Sequence, residues 1–226
     1  GIYYDKESMY DPEMQGASPA DFDVWSTAYP HLQGVVGLAR VLQEAHIPFG
    51  VITHARLDQL SRYRAVVLSS VLEMTHEQAA ALRTFVHQGG LLYASGTTSL
   101  DRFDKAGPRF LLEDVFGVRY RGKFGTEPQG RPVNYQRPVT YLTPADELLS
   151  RAVWPQRHVT FNGPMVEAQA LPGARVLATV TLPLVPPGAG TAIGSRFASL
   201  HSNPPADQPG TSPACVVNSY GAGKSV

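Results

Sequence analysis

Along the first hundred residues, short apolar runs alternate with longer stretches in which apolar residues recur every three or four positions. The most regular example covers residues 65–99. Residues 65–69 are apolar on both faces, as a strand inside a parallel sheet must be. Thr75 and Gln78 have capping-box spacing. Ala79, Leu82, Phe85 and Val86 form the buried stripe of a helix, and Gly89 supplies the left-handed residue that ends it. A second apolar strand then runs out into Ser95, Gly96, Thr97, Thr98 and Ser99. The pattern predicts half of a parallel α/β unit, a fold in which ligands bind beyond the carboxyl ends of the strands. The ends of these two strands offer hydroxyls and glycine, with no Cys, His or carboxylate poised for chemistry.

The same reading extends to the rest of the chain. Residues 2–5 predict a strand, followed by a polar loop of about 20 residues through Met14, Gly16, Pro19 and Trp25, a length that is usually functional or interfacial. Leu32, Val35, Val36, Ala39, Leu42 and Ala45 predict a helix stopped by Pro48. Residues 49–53 read as a strand, and Leu57, Leu60 and Tyr63 as a helical turn. Beyond Ser99 the pattern changes. Residues 110–116 predict a short helix closed by Gly117, and strands are expected at 139–142, 159–161, 165–168, 175–181 and 214–218. The Pro- and Gly-dense stretch 183–213 reads as an irregular excursion. The turn at 220–223 folds residues 224–226 back as a hairpin partner. The expected fold is α/β: a flavodoxin-like three-layer α/β/α domain over residues 1–226, with a mostly parallel sheet extended by antiparallel strands in the C-terminal half. Strand-like residues at both ends of the chain suggest a domain cut from a longer polypeptide.

Composition narrows the function classes. The chain has 226 residues, 43% hydrophobic and 17% charged, enough for one sizeable core. Its 19 basic residues cancel its 19 acidic ones, so no net field draws in polyanions or anionic lipid, and neither nucleic acid nor a membrane is expected as a partner. No apolar run reaches the roughly 18 residues of a membrane span. The compartment is left open, the cytoplasm being the default. The lone Cys215 excludes an internal disulfide. The seven histidines are scattered, with no i, i+4 pair on one helix and no zinc-site spacing, so neither metal nor cofactor is expected.

Several stretches together carry a family resemblance. They are Phe85, Val86, His87, Gln88, Gly89, Gly90 with the strand that follows, the turn Asp114, Val115, Phe116, Gly117, Val118, and the closing Cys215, Val216, Val217, Asn218, Ser219, Tyr220, Gly221, Ala222, Gly223, Lys224. In their order the elements resemble the glutamine-amidotransferase-like domain of multidomain glycoside hydrolases, best known as the trimerisation domain of certain bacterial β-galactosidases. The resemblance implies a flavodoxin-like fold without glutaminase chemistry. It also implies a parent carbohydrate-active enzyme whose catalytic TIM barrel, or neighbouring subunits, would be this segment's partners.

Each catalytic alternative lacks a requirement of its chemistry. An amidotransferase nucleophile sits on a tight strand-to-helix turn beside a histidine, whereas Cys215 lies within an apolar strand. Ser95 with Gly96 resembles a nucleophile elbow, but the G-x-S-x-G frame has Tyr93 and Thr97 where glycines belong. Glycosidases need two carboxylates about 5–10 Å apart, and Asp5, Glu7, Glu73, Asp101 and Asp104 at loops are explained as solvated surface groups. Gly221, Ala222, Gly223, Lys224, Ser225 lacks the phosphate-loop spacing. In 197–205, Phe197, His201 and Asn203 lie on a loop stiffened by Pro204 and Pro205. Trp25, Tyr29, Trp154 and Tyr220 could supply aromatic faces for a sugar, and Trp25, Trp154 and Phe197 are candidate interface anchors. The candidate ligand or interface residues are therefore Trp25, Ser95, Gly96, Trp154, Phe197, His201 and Asn203. The expected function is a non-catalytic structural or oligomerisation module of a glycoside hydrolase. The alternatives are a carbohydrate-binding module and a small hydrolase.

Overall fold

The computed structural model describes residues 1–9, 30–124, 139–152, 158–162, 165–182, 206 and 208–226. Contacts divide the chain into two compact units, residues 1–116 with 218–226, and residues 117–217. The first contains β1 (Ile2–Tyr3), α1 (Lys6–Met9), α2 (Pro30–Glu44), β2 (Val51–Ile52), a 3-10 helix (His54–Arg62), β3 (Ala65–Ser69), α3 (His76–His87), β4 (Leu91–Ser95), β5 (Leu100–Asp101), β6 (Arg109–Phe110) and α4 (Glu113–Phe116). The second contains β7 (Val118–Phe124), β8 (Val139–Pro144), α5 (Glu147–Ala152), β9 (Val159–Asn162), β10 (Met165–Ala170), β11 (Arg175–Thr181) and most of β12 (Pro213–Tyr220). The last strand, β13 (Gly223–Ser225), returns to the first unit.

In the first unit the parallel strands run in the order β2-β1-β3-β4-β13. The best-formed helix shows why. Thr75 Oγ1 accepts from Gln78 N at 3.1 Å while Gln78 Oε1 accepts from Thr75 N at 2.8 Å, closing the capping box. Ala79, Leu82, Phe85 and Val86 are the buried residues of α3, and Gly89, at φ +111°, turns the chain out of it. On the sheet, Val66, Leu68 and Leu92 are fully buried. The C-terminal hairpin is held down by α4: Asn218 Nδ2 donates to the Asp114 and Val115 carbonyls, and Ser225 Oγ donates to Val115 O at 2.7 Å.

In the second unit the described strands pair antiparallel. Residues 213–217 of β12 lie against β11, β11 against β8, β8 against β9, and β10 against β7 with a bulge at Glu167 and Ala168. Leu177, Ala178, Val180 and Tyr141 are its buried apolar residues. Thr143 Oγ1 bonds Thr181 Oγ1 at 2.6 Å and His158 Nδ1 at 2.8 Å, so the polar groups among them are satisfied.

The expectation of a mostly parallel sheet is corrected. The chain is α/β with mixed pairing, and among the described residues six strand pairings are antiparallel against four parallel. Parallel neighbours require a crossover of a dozen or more residues, usually a helix. The first unit supplies such crossovers. The only link between β12 and β13 is Gly221 and Ala222, and so short a link forces a hairpin. Two local differences follow the same logic. The helix expected at 110–116 begins only at Glu113, because Arg109 and Phe110 pair with β5. Strand β7, unassigned from the sequence, pairs through residues 118–124 with β10. Among the described residues, no helix is long and apolar enough to cross a membrane.

Leu82 is fully buried beneath the sheet-facing side of α3. Leu82→Ala is expected to lower unfolding free energy by about 2–5 kcal/mol, read as a lower urea midpoint with an unchanged slope.

Candidate functional site

Because β1 lies between β2 and β3, the direction in which the parallel sheet grows reverses between β1 and β3. In open α/β sheets such a reversal opens a crevice beyond the carboxyl ends of the strands. The residues that leave those ends here are Tyr4 and Asp5 after β1, Thr53 and His54 after β2, Ser69 and Ser70 at β3, and residues 95–99 at β4.

The centre of this edge is His31, 1% exposed near the start of α2. Its Nε2 accepts from the Asp5 amide at 2.9 Å, and its Nδ1 lies 2.6 Å from the Ser69 carbonyl oxygen. An amide can only donate and a carbonyl can only accept. The ring is therefore neutral, with its proton on Nδ1. Burial pushes its pKa below the ordinary value, against the opposing pull of the Ser69 carbonyl and the Asp5 charge. The helix reaches the strand this closely because position 34 is glycine: a Cβ there would stand 1.7 Å from Ser69 Oγ. Tyr4 packs its ring 5.7 Å from His31.

Asp5 is 2% exposed. Its Oδ2 accepts from Ser8 N at 2.7 Å and caps the short α1, and Ser8 Oγ accepts from Glu73 N at 2.9 Å, tying α1 to the segment after β3. Its Oδ1 stands 4.0 Å from Nδ1 of the exposed His54. Glu7 completes a group whose ligand-type atoms all lie within 4.8 Å of one another. Tyr3 is fully buried, and its hydroxyl has no hydrogen-bond partner among the described residues. Burial first, then the Asp5 and Glu7 charges, hold that phenol well above its ordinary pKa.

After β4 the hydroxyls of Thr98 and Ser99 are occupied with structure, whereas Thr97 Oγ1 is buried without a partner among the described residues. Thr98 Oγ1 donates to Ser95 O at 2.8 Å and accepts from Val71 N at 3.1 Å, stitching β3 to β4. Ser99 N donates to Val71 O, and its own carbonyl receives Leu111 N. Ser95 ends β4 and its carbonyl accepts from Ser70 N. Gly96 has φ +63°, and a Cβ there would meet Ser70 Oγ at 2.5 Å, so this position is reserved for glycine. Beside this turn is a cleft of about 230 Å³ lined by Glu73, Met74, His76, Asp101, Arg102 and Phe103 among others. Phe103 is 78% exposed, with the Arg102 guanidinium 5.3 Å from its ring centre. The chain's single thiol, Cys215, is half-buried within β12. Burial pushes its pKa up, the opposite of what a nucleophile needs.

Of the sequence-derived candidates, Ser95 and Gly96 are placed at the carboxyl edge. Trp25, Trp154, Phe197, His201 and Asn203 lie outside the described residues. The sequence reading missed the assembly around His31, Asp5, Glu7 and His54. Its signal was present: an acidic residue two positions beyond one short strand and a histidine two positions beyond its neighbour.

Over 99% of its length the chain matches the structure of a β-galactosidase from Bacillus circulans sp. alkalophilus, with TM-score 0.63 and 16% identity, covering 27% of that chain. A catalytic mutant of a GH42 β-galactosidase from G. stearothermophilus matches over 99% of this chain and 26% of its own, with TM-score 0.62 and 19% identity. A cold-adapted β-galactosidase from Rahnella sp. R3 gives TM-score 0.61 and 19% identity over 99% of this chain and 27% of its own. What is shared is the fold, and the chain spans about a quarter of the length of these enzymes. The resemblance drawn from the residues thus finds its structural neighbours among β-galactosidases. No protein-family profile matches the chain, and no curated protein sequence does.

The depressed His31 pKa has a definite sign. The unfolded imidazole takes up a proton near its ordinary pKa of 6.5, while the folded one resists until lower pH. The stability that comes from keeping it neutral is complete above about pH 6.5 and is lost as pH falls through the window down to the folded pKa. Urea midpoints measured between pH 8 and pH 5 (a range spanning the ordinary His pKa of about 6.5) should fall in the acidic half for the wild type. In His31→Gln that histidine-dependent fall should be reduced.

Proposed function

We infer that this chain is a non-catalytic accessory domain of a larger glycoside hydrolase, built on a flavodoxin-like three-layer plan and acting by packing on a catalytic barrel or a neighbouring subunit. The observation that carries the reading is the match of nearly the whole chain to about a quarter of several β-galactosidases. The chemistry of the described residues supports it. The one thiol is half-buried, with its pKa pushed up by burial, and the hydroxyls of Thr98 and Ser99 are held in backbone bonds.

An interface role is supported by the surface of the first unit. Val36 and Val41 on α2, Ile47 in the loop that follows and Val51 on β2 are each more than half exposed. Among the described residues, strand β2 is an edge, paired only to β1. Four large apolar side chains within sixteen residues, next to an open edge, favour a covering partner.

A second reading, carbohydrate binding, is favoured by one observation, the exposed Phe103 ring at the rim of the cleft beside Asp101 and His76. Aromatic faces flanked by hydrogen-bonding groups suit sugar rings.

Assayed alone, the 226-residue chain is expected to show no turnover of chromogenic galactosides or glucosides, and turnover would overturn the accessory reading. In sedimentation experiments the wild type should self-associate, and Val36→Lys combined with Val51→Lys should shift it to monomer without changing its circular dichroism. Saturable binding of galactose that is lost in Phe103→Ala would favour the second reading.

A further inference from the structure

Along the carboxyl edge of the first unit, a series of hydrogen bonds starts at a buried imidazole and ends beyond β3. His31 Nε2 accepts from Asp5 N, Asp5 Oδ2 accepts from Ser8 N, and Ser8 Oγ accepts from Glu73 N. In this series the imidazole is the group whose bonding sense changes close to neutral pH. We propose that protonation of His31 unfastens α1 from this edge while the rest of the first unit stays folded, so that the imidazole works as an acid-operated latch.

The two ring nitrogens respond differently to a proton. Nδ1 already carries one, donated to the Ser69 carbonyl at 2.6 Å, and keeps that bond in the imidazolium. The added proton goes to Nε2, which then turns a donor toward the Asp5 amide, itself a donor, 2.9 Å away. The conflict falls on Asp5 and leaves the bond to β3 in place. Moving the ring offers little relief. His31 is 1% exposed, and α2 lies so close to β3 that a Cβ at Gly34 would run into Ser69 Oγ. The four-residue α1 is too short to hold its own shape once its cap is lost. It is therefore the part that yields.

The charges around the ring favour the released state in acid. The Asp5 carboxylate pulls the imidazole toward its protonated form, against the larger effect of burial. Once the amide is repelled, the same carboxylate can accept from the imidazolium, and turning it that way withdraws Oδ2 from Ser8 N. Glu7 on α1 and the exposed His54, with Nδ1 4.0 Å from Asp5 Oδ1, are the other titratable groups beside Asp5. Tyr4 meets the imidazole with its ring at 5.7 Å, β3 presents the uncharged Ser69 carbonyl, and on α2 Arg40 and Glu44 pair with each other in solvent. Because burial moves the transition downward, the latch is shut at neutral pH and opens only below the ordinary imidazole value of 6.5.

The test is amide hydrogen exchange, resolved by residue with NMR on the isotope-labelled 226-residue chain and corrected for intrinsic exchange rates. It runs from about pH 7.5 to about pH 5, across the ordinary imidazole pKa. Protection at Asp5, Ser8 and Glu73 should fall at least about tenfold in acid, as in a local opening. The amides of Val67 and Ala79, bonded to Gly1 O and Thr75 O, should keep theirs. In the wild type the His31 ring resonances should titrate with the same midpoint as the three amides. His31→Gln should remove the response, and His54→Gln, which changes an exposed imidazole, should leave it intact. The latch is overturned by protection that does not fall, by a fall shared with Val67 and Ala79, or by a ring midpoint that differs from the amide midpoint. A response that persists in His31→Gln or vanishes in His54→Gln overturns it equally. The ring titration needs no variant, so it decides the matter even where His31→Gln does not fold. None of these outcomes depends on the accessory-domain reading.

Discussion

The buried imidazole of His31 is the tie on which the carboxyl edge of the first unit depends. One ring nitrogen holds the Ser69 carbonyl at the end of β3, and the other receives the Asp5 amide as the chain leaves β1. Without it, a carbonyl and an amide at two strand ends would be left to find other partners in a place water barely reaches. The tie works only for a neutral ring of one tautomer and only with the helix close in, and the missing Cβ at Gly34 permits that approach. Asp5 inherits its position from this arrangement. Its carboxylate can then cap α1, and α1 in turn is fastened to the segment after β3 through Ser8 and Glu73.

Much of the first unit was legible in the sequence because its elements obey local rules. The capping box at Thr75 and Gln78, the stripe Ala79, Leu82, Phe85, Val86 and the stop at Gly89 each follow from the spacing of a few residues, and all stand in the structure. The hairpin at 220–223 was equally local. Strand β7 was harder to read, since Arg119, Gly122 and Lys123 interrupt any apolar run, and its partner β10 lies over forty residues away. The balance of parallel against antiparallel pairing was misjudged because it depends on which strands meet, and the connections that decide this carry little periodic signal.

The site was less legible still. Ser95 and Gly96 stood out as a motif, yet the structure shows Gly96 shaped by its closeness to Ser70 and the neighbouring Thr98 hydroxyl engaged in joining two strand ends. The polar group with the greater chemical potential draws on residues 5, 7, 31 and 54, which no spacing rule connects. Only the strand order β2-β1-β3 brings them to one edge. Polar residues at the ends of short strands thus say more when the order of those strands is known than when each is weighed by itself.

The placement of β13 bears on how this polypeptide acquires its shape. Strand β4 receives its outer neighbour from residues 223–225, after all of residues 117–217 have intervened. On the ribosome, residues 1–116 would emerge with β4 still a bare edge and would stay so until residues 223–225 had been made. Closing so long an excursion adds only logarithmically to the entropic cost, but it delays the step, and an unpaired strand waiting that long is open to improper association. Loss of residues 223–225 would leave the same edge uncovered, although those residues add little to the mass of the core.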